Sequence, residues 1–219
     1  HLTYFHQRDV YSDNPFTPEI EPAEPYALGL LVKNAGAGPA RNFRITSAQP
    51  QIIENEKGLL IDFKIIGTPI GDQTIIPTLT ANLGTIPPGE SRVAAWWFTS
   101  TLQGKFVDYS ATFEHTDALG SANISLIESV EIHELIRAVR ANRPTDDDVP
   151  DFLVNDDADP NHLPDRIYLS DGTVAIVNLA ANPQPTGTPT PGNLQAQLSA
   201  TVTTGWNYFQ LPDPGPSYR

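Results

Sequence analysis

The sequence predicts an all-β fold, namely an antiparallel β-sandwich followed by a smaller β module, and three observations support this class. The 219-residue chain contains 21 proline and 15 glycine residues, which favours many short strands joined by turns. Charged residues make up only 18% of the chain and hydrophobic residues 39%. Apolar and polar residues alternate in short segments bounded by turn residues, and this pattern is typical of strands that bury one face.

The first 25 residues differ in composition from those that follow, because they are rich in proline. Pro15, Pro18, Pro22 and Pro25 lie too close together to share a helix, and none of them can donate a hydrogen bond to a sheet. We therefore predict that residues 1–25 form an extended, proline-rich lead-in or edge strand. The chain begins at His1 rather than at Met, which predicts a processed product, a fragment or an excised module.

Residues 26–140 are predicted to form the sandwich, because seven strand-like segments follow one another there. Turn signals separate several of them, including AGAGPA, Pro87-Pro88-Gly89 and ALGSA. The last segment also has apolar residues at helical spacing, so a terminal helical turn stays open. The seven segments are YALGLLVKN, ARNFRITSA, GLLIDFKII, TLTANLGTI, SRVAAWWFTSTL, KFVDYSATFEHTD and NISLIESVEIHELI.

The remainder of the chain divides into an acidic segment and a second β-rich segment. Residues 141–165 are polar without periodicity, which indicates a linker or an ordered loop. In RIYLSDGTVAIV, the Asp171-Gly172 pair between two β-rich runs predicts a hairpin. A proline- and threonine-rich spacer at 182–193 precedes two further strands in LQAQLSATVTTGWNYFQL. We predict that residues 166–219 form a small β module that is incomplete, completed by a partner or packed on the first.

Two stretches resemble a known family. LGLLVKNAGAGPARNFRI is similar to the strand, Asn-x-Gly-x-Gly loop and returning strand of the bacterial immunoglobulin-like domains called CARDB or conserved-repeat domains, and LGTIPPGESRVAAWWF is similar to their Pro-Gly-Glu-Ser turn and following strand. The resemblance runs from Tyr26 to Leu102, and residues 106–136 would complete the same domain. It implies an immunoglobulin-like sandwich in a large, multidomain, extracellular or cell-surface protein, without an activity of its own. Residues 166–219 have a fibronectin-III-like appearance.

Charge and composition exclude several function classes. The net charge is −13, and the 13 Lys and Arg residues are scattered, so a nucleic-acid partner and an anionic membrane surface are not expected. The absence of Cys excludes a disulfide framework and a thiolate zinc site. No apolar run approaches the length of a membrane span, so membrane insertion is not expected either.

Motifs that superficially suggest catalysis are incomplete. GAGPAR has Arg41 where a dinucleotide fingerprint needs Gly or Ala, and HELIR has Arg137 where a zinc-protease helix needs its second His. There is no Gly-x-Ser-x-Gly nucleophile elbow. We therefore predict that the chain is not an enzyme.

The acidic segment DFLVNDDADPNHLPDR (residues 151–166) has five Asp residues and suggests calcium, which takes six to eight oxygen ligands. It lacks the Gly at the sixth position and the Glu at the twelfth that an EF-hand requires. The alternative, a solvated acidic linker, is favoured. The candidate ligands at alternating positions and the turn end are Asn155, Asp157, Asp159, Asn161 and Asp165.

Aromatic residues offer a second candidate site. Trp96 and Trp97 are adjacent on a predicted strand and therefore point to opposite faces, so one of them is expected in the core. Trp206 and Tyr208 are candidates for contact with a glycan. The function that fits best is a structural, spacer or assembly module whose neighbouring domains or copies add strands to one another, up to a polymer or filament. The alternative is an adhesin-like or carbohydrate-binding module, with calcium as a possible cofactor.

Overall fold

The computed structural model describes residues 1–14, 16, 18–45, 62–75, 77–105, 127–141, 147–157, 161–186 and 197–210. These residues form strands and no helix, which confirms the all-β class. The strands are β1 (Leu2–His6), β2 (Asp9–Val10), β3 (Tyr26–Lys33), β4 (Ala40–Ile45), β5 (Phe63–Ile70), β6 (Gln73–Ile75), β7 (Ala81–Ile86), β8 (Ser91–Ser100), β9 (Gly104–Lys105), β10 (Val130–Val139), β11 (Asp151–Asn155), β12 (Arg166–Tyr168), β13 (Val174–Leu179), β14 (Ala181–Thr186), β15 (Gln197–Thr201) and β16 (Trp206–Tyr208).

One ten-stranded sheet dominates the described part of the molecule, with the order β16-β13-β12-β11-β10-β1-β3-β8-β5-β6. The sheet is mixed, because β1 pairs in parallel with β10 and β13 in parallel with β16, whereas the other neighbours are antiparallel. Three two-stranded sheets accompany it, formed by β14 and β15, by β2 and β9, and by β4 and β7.

The N-terminal strand lies inside this sheet, which differs from the predicted lead-in or edge strand. All five residues of β1 are buried, and β1 pairs with β10 on one side and β3 on the other. The proline-rich pattern begins only at Pro15, after β1, and the LTYFH run that precedes it is a β-rich sequence. The exposed residues 18–25 then lead from the short strand β2 to β3.

The predicted turns are confirmed where the structure describes them. The PPGE turn joins β7 to β8 with Gly89 at φ +78°, and the Asp-Gly turn joins β12 to β13 with Gly172 at φ +81°. Both values lie in the left-handed region, where a side chain is costly and glycine is favoured. The AGAGPA loop joins β3 to β4, and the Asn34 side-chain amide donates to the carbonyls of Gly38 and Ile86, each at 2.8 Å.

Alternating residues of the central strands pack on the two faces of the sheet. On one face, Trp96 and its neighbours from β1, β3 and β8 pack against Ile45 and Ile86 of the small β4–β7 sheet. On the other face, Trp97 packs against Phe5 and a second apolar cluster. The expectation that the two tryptophans lie on opposite faces, with one in the core, is therefore confirmed: Trp96 is fully buried and its indole N–H donates to the Thr78 carbonyl at 3.0 Å.

The second apolar cluster shows that the sheet bends back on itself. The pairing of β10 with β11 is irregular between Leu135 and Arg137, and such bulges bend a strand. The Phe152 ring on β11 stacks on the Phe5 ring of β1 with centroids 4.2 Å apart, and it also lies over Gly29 of β3. Since β10 and β1 separate β11 from β3 in the sheet order, this contact requires strong curvature.

The sheet crosses the predicted segment boundaries. The predicted linker at 141–165 contains β11, which is mostly buried, and β12, β13 and β16 of the predicted second module extend the sheet that starts in the first. The helical turn left open near Val139 is replaced by strand β10. Pairing with β1 and β11 satisfies the β10 backbone, so tertiary context decides against the helical spacing.

Other predicted segments fall partly or wholly outside the described residues. The KFVDYSATFEHTD strand lies outside from residue 106 onward, and the GLLIDFKII strand is described only from residue 62. The spacer predicted at 182–193 is described to residue 186, where it forms most of β14.

Candidate functional site

A dense polar cluster lies where β10, β11 and β12 run side by side. His133 projects from β10, Asp156 follows the end of β11, and Arg166 and Tyr168 belong to β12. The side chains of His133 and Asp156 are only 18% and 16% exposed, so the cluster is partly withdrawn from solvent.

Asp156 is the centre of this cluster. Its Oδ1 lies 2.5 Å from His133 Nδ1, and its Oδ2 accepts from the Tyr168 hydroxyl at 3.1 Å and lies 3.2 Å from Arg166 Nε. The Tyr168 oxygen is also 3.3 Å from His133 Nε2, which closes a ring of three side chains. The His133 ring stacks on Phe5 with centroids 6.0 Å apart, so the cluster borders the second apolar core.

Electrostatics hold Tyr168 in its protonated form. Burial raises the pKa of the Tyr168 phenol well above its usual range, and the negative charge and hydrogen bond of Asp156 raise it further. The hydroxyl is thus a hydrogen-bond donor to Asp156 across the neutral pH range. His133 has contacts at both ring nitrogens, because Glu131 Oε2 lies 3.6 Å from Nε2. The arrangement is suited to joining three strands by charge-assisted hydrogen bonds.

A second polar group lies nearby and connects the same elements. Glu134 on β10 contacts the Asn155 amide at 2.9 Å and His162 Nδ1 at 2.8 Å. The Glu134 side chain is only 12% exposed. Together the two clusters tie β10 to the segment between β11 and β12.

The candidate calcium ligands are dispersed among structural contacts. Asp165 accepts from the backbone N–H of Asp156 at 3.0 Å and of Asp157 at 2.6 Å, and Asp157 lies 3.7 Å from Arg166. Asn155 donates to Glu134, Asn161 is exposed in the turn before β12, and Asp159 lies outside the described residues. Within the described part of the chain, no group of three or more His, Cys, Asp or Glu side chains is arranged to hold a metal ion. Calcium binding stays a prediction.

The candidate glycan-contacting residues lie on β16, at one edge of the large sheet. Trp206 and Tyr208 are half-buried and pack against a third apolar cluster that includes Ile167, Leu169 and Val177. The Asn178 side-chain amide donates to the Trp206 carbonyl at 3.4 Å. The structure therefore places both aromatic residues partly in a core, and glycan binding there stays a prediction.

Sequence reasoning missed the Asp156 cluster as a unit. In the sequence, His133 stands out only as part of the incomplete HELIR motif, and Asp156 is one of many acidic residues. Tyr168 and Arg166 have no distinguishing local pattern. Only the pairing of β10 with β11 and of β11 with β12 brings the four side chains together.

The comparisons with known proteins identify no relative. No family model, no curated protein sequence and no solved structure matches the chain. The resemblance to CARDB domains therefore stays a prediction. Among the described residues, no helix has the length and apolar character needed to cross a membrane.

Proposed function

We propose that the chain is a structural and assembly module of a larger extracellular or cell-surface protein, and that copies associate by exchanging strand β1. The observation that supports this most directly is the position of β1. A strand at the start of the described chain completes the interior of the large sheet, with β3 on one side and β10 on the other.

The position between β3 and β10 must be filled by a strand. Leu2, Tyr4 and Phe5 are each at most 1% exposed, and burying a side chain of this size contributes about 1.5–3 kcal/mol. Without β1, both β3 and β10 would present unpaired edges, which readily pair with another chain. The same contacts form whether β1 comes from its own chain or from a neighbouring copy.

The connection between β2 and β3, which follows β1 and β2 along the chain, is suited to such an exchange. Residues 18–25 are exposed and include Pro18, Pro22 and Pro25, which favour an extended backbone. In strand exchange a connection of this kind extends toward the neighbouring copy, while each strand keeps its own hydrogen-bond register.

We also propose that the fold is an immunoglobulin-like sandwich. Its support is the small β4–β7 sheet, which covers one face of β3 and β8 and buries Ile45, Leu83 and Ile86 in a shared core. Two layers of this kind are typical of sandwich modules that act as spacers.

Disulfide trapping tests strand exchange directly. Thr3 pairs with Glu131 in the parallel β1–β10 ladder, and the chain has no natural Cys. We would refold a mixture of the single variants Thr3→Cys and Glu131→Cys and oxidise it. A disulfide that links the two variants is expected, because it forms when β1 of one copy pairs with β10 of another.

A matched mixture measures accidental collisions. Thr3→Cys combined with Arg140→Cys places the second thiol at an exposed position just after β10, outside the ladder. Linked dimers that are no more abundant than in this mixture would contradict strand exchange. The double variant Thr3→Cys/Glu131→Cys, once internally oxidised, is expected to stay at the 23.9 kDa monomer mass in light scattering.

A further inference from the structure

A concave feature lies away from the Asp156 cluster. A cleft of about 440 Å³ opens between β8, β10 and the N-terminal segment. This volume falls within the range of about 300–1,000 Å³ that is usual for small-ligand sites. Its wall consists mainly of aromatic, amide and charged side chains, including Gln7, Tyr11, Glu24, Tyr26, Trp97 and Arg137.

Two aromatic residues give the cleft an apolar surface. Trp97 is partly exposed where it lines the cleft, and it also packs against the second apolar cluster. Tyr11 also lines the cleft and is 57% exposed. An aromatic ring that packs against a core on one side and is exposed on the other can stack on the C–H face of a ligand.

The charged side chains of the cleft have no polar partner among the described residues. Within the part of the chain that the structure describes, no hydrogen bond or ion pair involves the Glu24 carboxylate or the Arg137 guanidinium. Both residues are exposed. A guanidinium and a carboxylate are planar groups that form two parallel hydrogen bonds, so each can contact a pair of adjacent hydroxyl groups.

The signs of these charges restrict the ligand. Arg137 disfavours a cationic ligand, whereas Glu24 and the net charge of −13 disfavour an anionic one. What remains is a neutral molecule with one apolar face and several hydroxyl groups along its edge. This combination is the chemistry of a neutral saccharide.

We propose that this cleft binds a short neutral saccharide, which stacks on Trp97 and is hydrogen-bonded by Glu24 and Arg137. The site is distinct from Trp206 and Tyr208, which lie on β16 at the edge of the sheet. The inference goes beyond the assembly role and does not depend on it, because the cleft can hold a ligand whether β1 comes from its own chain or from a neighbour.

The test is calorimetric titration of the full chain with a panel of neutral tetrasaccharides: cellotetraose, xylotetraose, mannotetraose, maltotetraose and chitotetraose. We expect at least one of them to bind with a Kd of about 1 mM or tighter. Glu24→Ala and Arg137→Ala are each expected to weaken that binding by at least about tenfold, since hydrogen bonds to charged groups are the stronger kind. Trp97→Leu is expected to abolish it.

Two control variants distinguish binding in this cleft from binding elsewhere on the protein. Arg140→Ala removes an exposed Arg close to the end of β10 but outside the cleft, and Trp206→Leu removes the aromatic face on β16; both are expected to leave the affinity unchanged. If Trp97→Leu does not fold, the two charge variants still decide the question. Binding to none of the tetrasaccharides overturns the proposal, as does binding that only Trp206→Leu weakens. Equal binding by wild type and both charge variants also overturns it.

Discussion

The substitution Gly29→Ala tests the curvature of the large sheet. Gly29 lies inside β3, and the Phe152 ring of β11 covers it. A methyl group added at Gly29 would lie 2.7 Å from Phe152 Cδ1 and 2.8 Å from Cζ, with Cε1 nearer still. Carbon atoms normally pack about 3.5–4.0 Å apart, so the ring would have to move by more than about 0.8 Å.

The displaced ring has little room to move. Phe152 stacks on Phe5 with centroids 4.2 Å apart and is itself 1% exposed. Overpacking of a closed core costs about 1–3 kcal/mol. We therefore expect Gly29→Ala to lower the free energy of unfolding by about 2–3 kcal/mol. Ala also reduces the conformational entropy of the unfolded chain, which favours folding, but this effect is smaller.

Urea unfolding measures this cost, because a changed midpoint with an unchanged slope reports stability alone. Gly67→Ala is the matched control, since a methyl group there would meet Trp97 Cδ1 at an ordinary 3.7 Å. This control is expected to stay within about 0.5 kcal/mol of wild type. The double variant Gly29→Ala/Phe152→Leu is expected to be more stable than the sum of the single changes predicts, because the smaller side chain relieves the clash.

A neutral Gly29→Ala would refute the reasoning. So would a double variant whose effects are strictly additive, since two side chains in contact must show a coupling energy. Either result would mean that β11 does not lie over β3, and that the sheet is flatter than the Phe152–Gly29 contact requires.

Three further predictions concern tyrosine and aspartate side chains. Burial raises the pKa values of Tyr4 and Tyr26 well above the ordinary value near 10, so the stability that each contributes is complete below pH 10 and decreases above it. Each tyrosine is expected to reduce the free energy of unfolding by about 1 kcal/mol between pH 10 and 11. Tyr4→Phe should make that decrease shallower in alkaline urea titrations. Asp151 is 1% exposed and accepts from two backbone N–H groups, at 2.7 and 2.8 Å. Asp151→Ala should therefore lower the free energy of unfolding in denaturant by at least about 2 kcal/mol. Asp157→Ala, at an exposed position, should lower it by less than about 0.5 kcal/mol. Asp165→Ala should lower the melting temperature equally in EDTA and in calcium, because its carboxylate accepts two backbone N–H groups; a loss seen only in calcium would show instead that Asp165 is a metal ligand.

Local sequence was sufficient for the strands and turns. The alternation in YALGLLVKN and the Pro-Pro-Gly and Asp-Gly turns depend on backbone geometry within a few residues, and the structure has β3, β8, β12 and β13 where these patterns predict strands. The opposite orientation of Trp96 and Trp97 follows from the two-residue period of a strand and required no tertiary information. The same local patterns misjudged residues 1–25, because four prolines obscured a short apolar strand ahead of them.

Strand pairing was beyond the reach of local patterns. Whether LTYFH lies at an edge or between β3 and β10 depends on partners more than twenty residues away in one case and more than one hundred in the other. For the same reason, the acidic segment could suggest calcium while the structure assigns Asp165 to backbone N–H groups and Asp156 to His133, Tyr168 and Arg166.

By itself, the sequence determined an acidic all-β chain, several of the places where it turns, and the opposite orientation of adjacent side chains such as Trp96 and Trp97. The tertiary structure alone decided that one curved sheet continues across the predicted module boundaries, that the first strand lies in its interior, and which polar groups share the Asp156 cluster and the Trp97 cleft. The physical reason is range: turn and face preferences arise from backbone sterics over a few residues, whereas strand order and polar partners depend on the free energy of burying distant segments together.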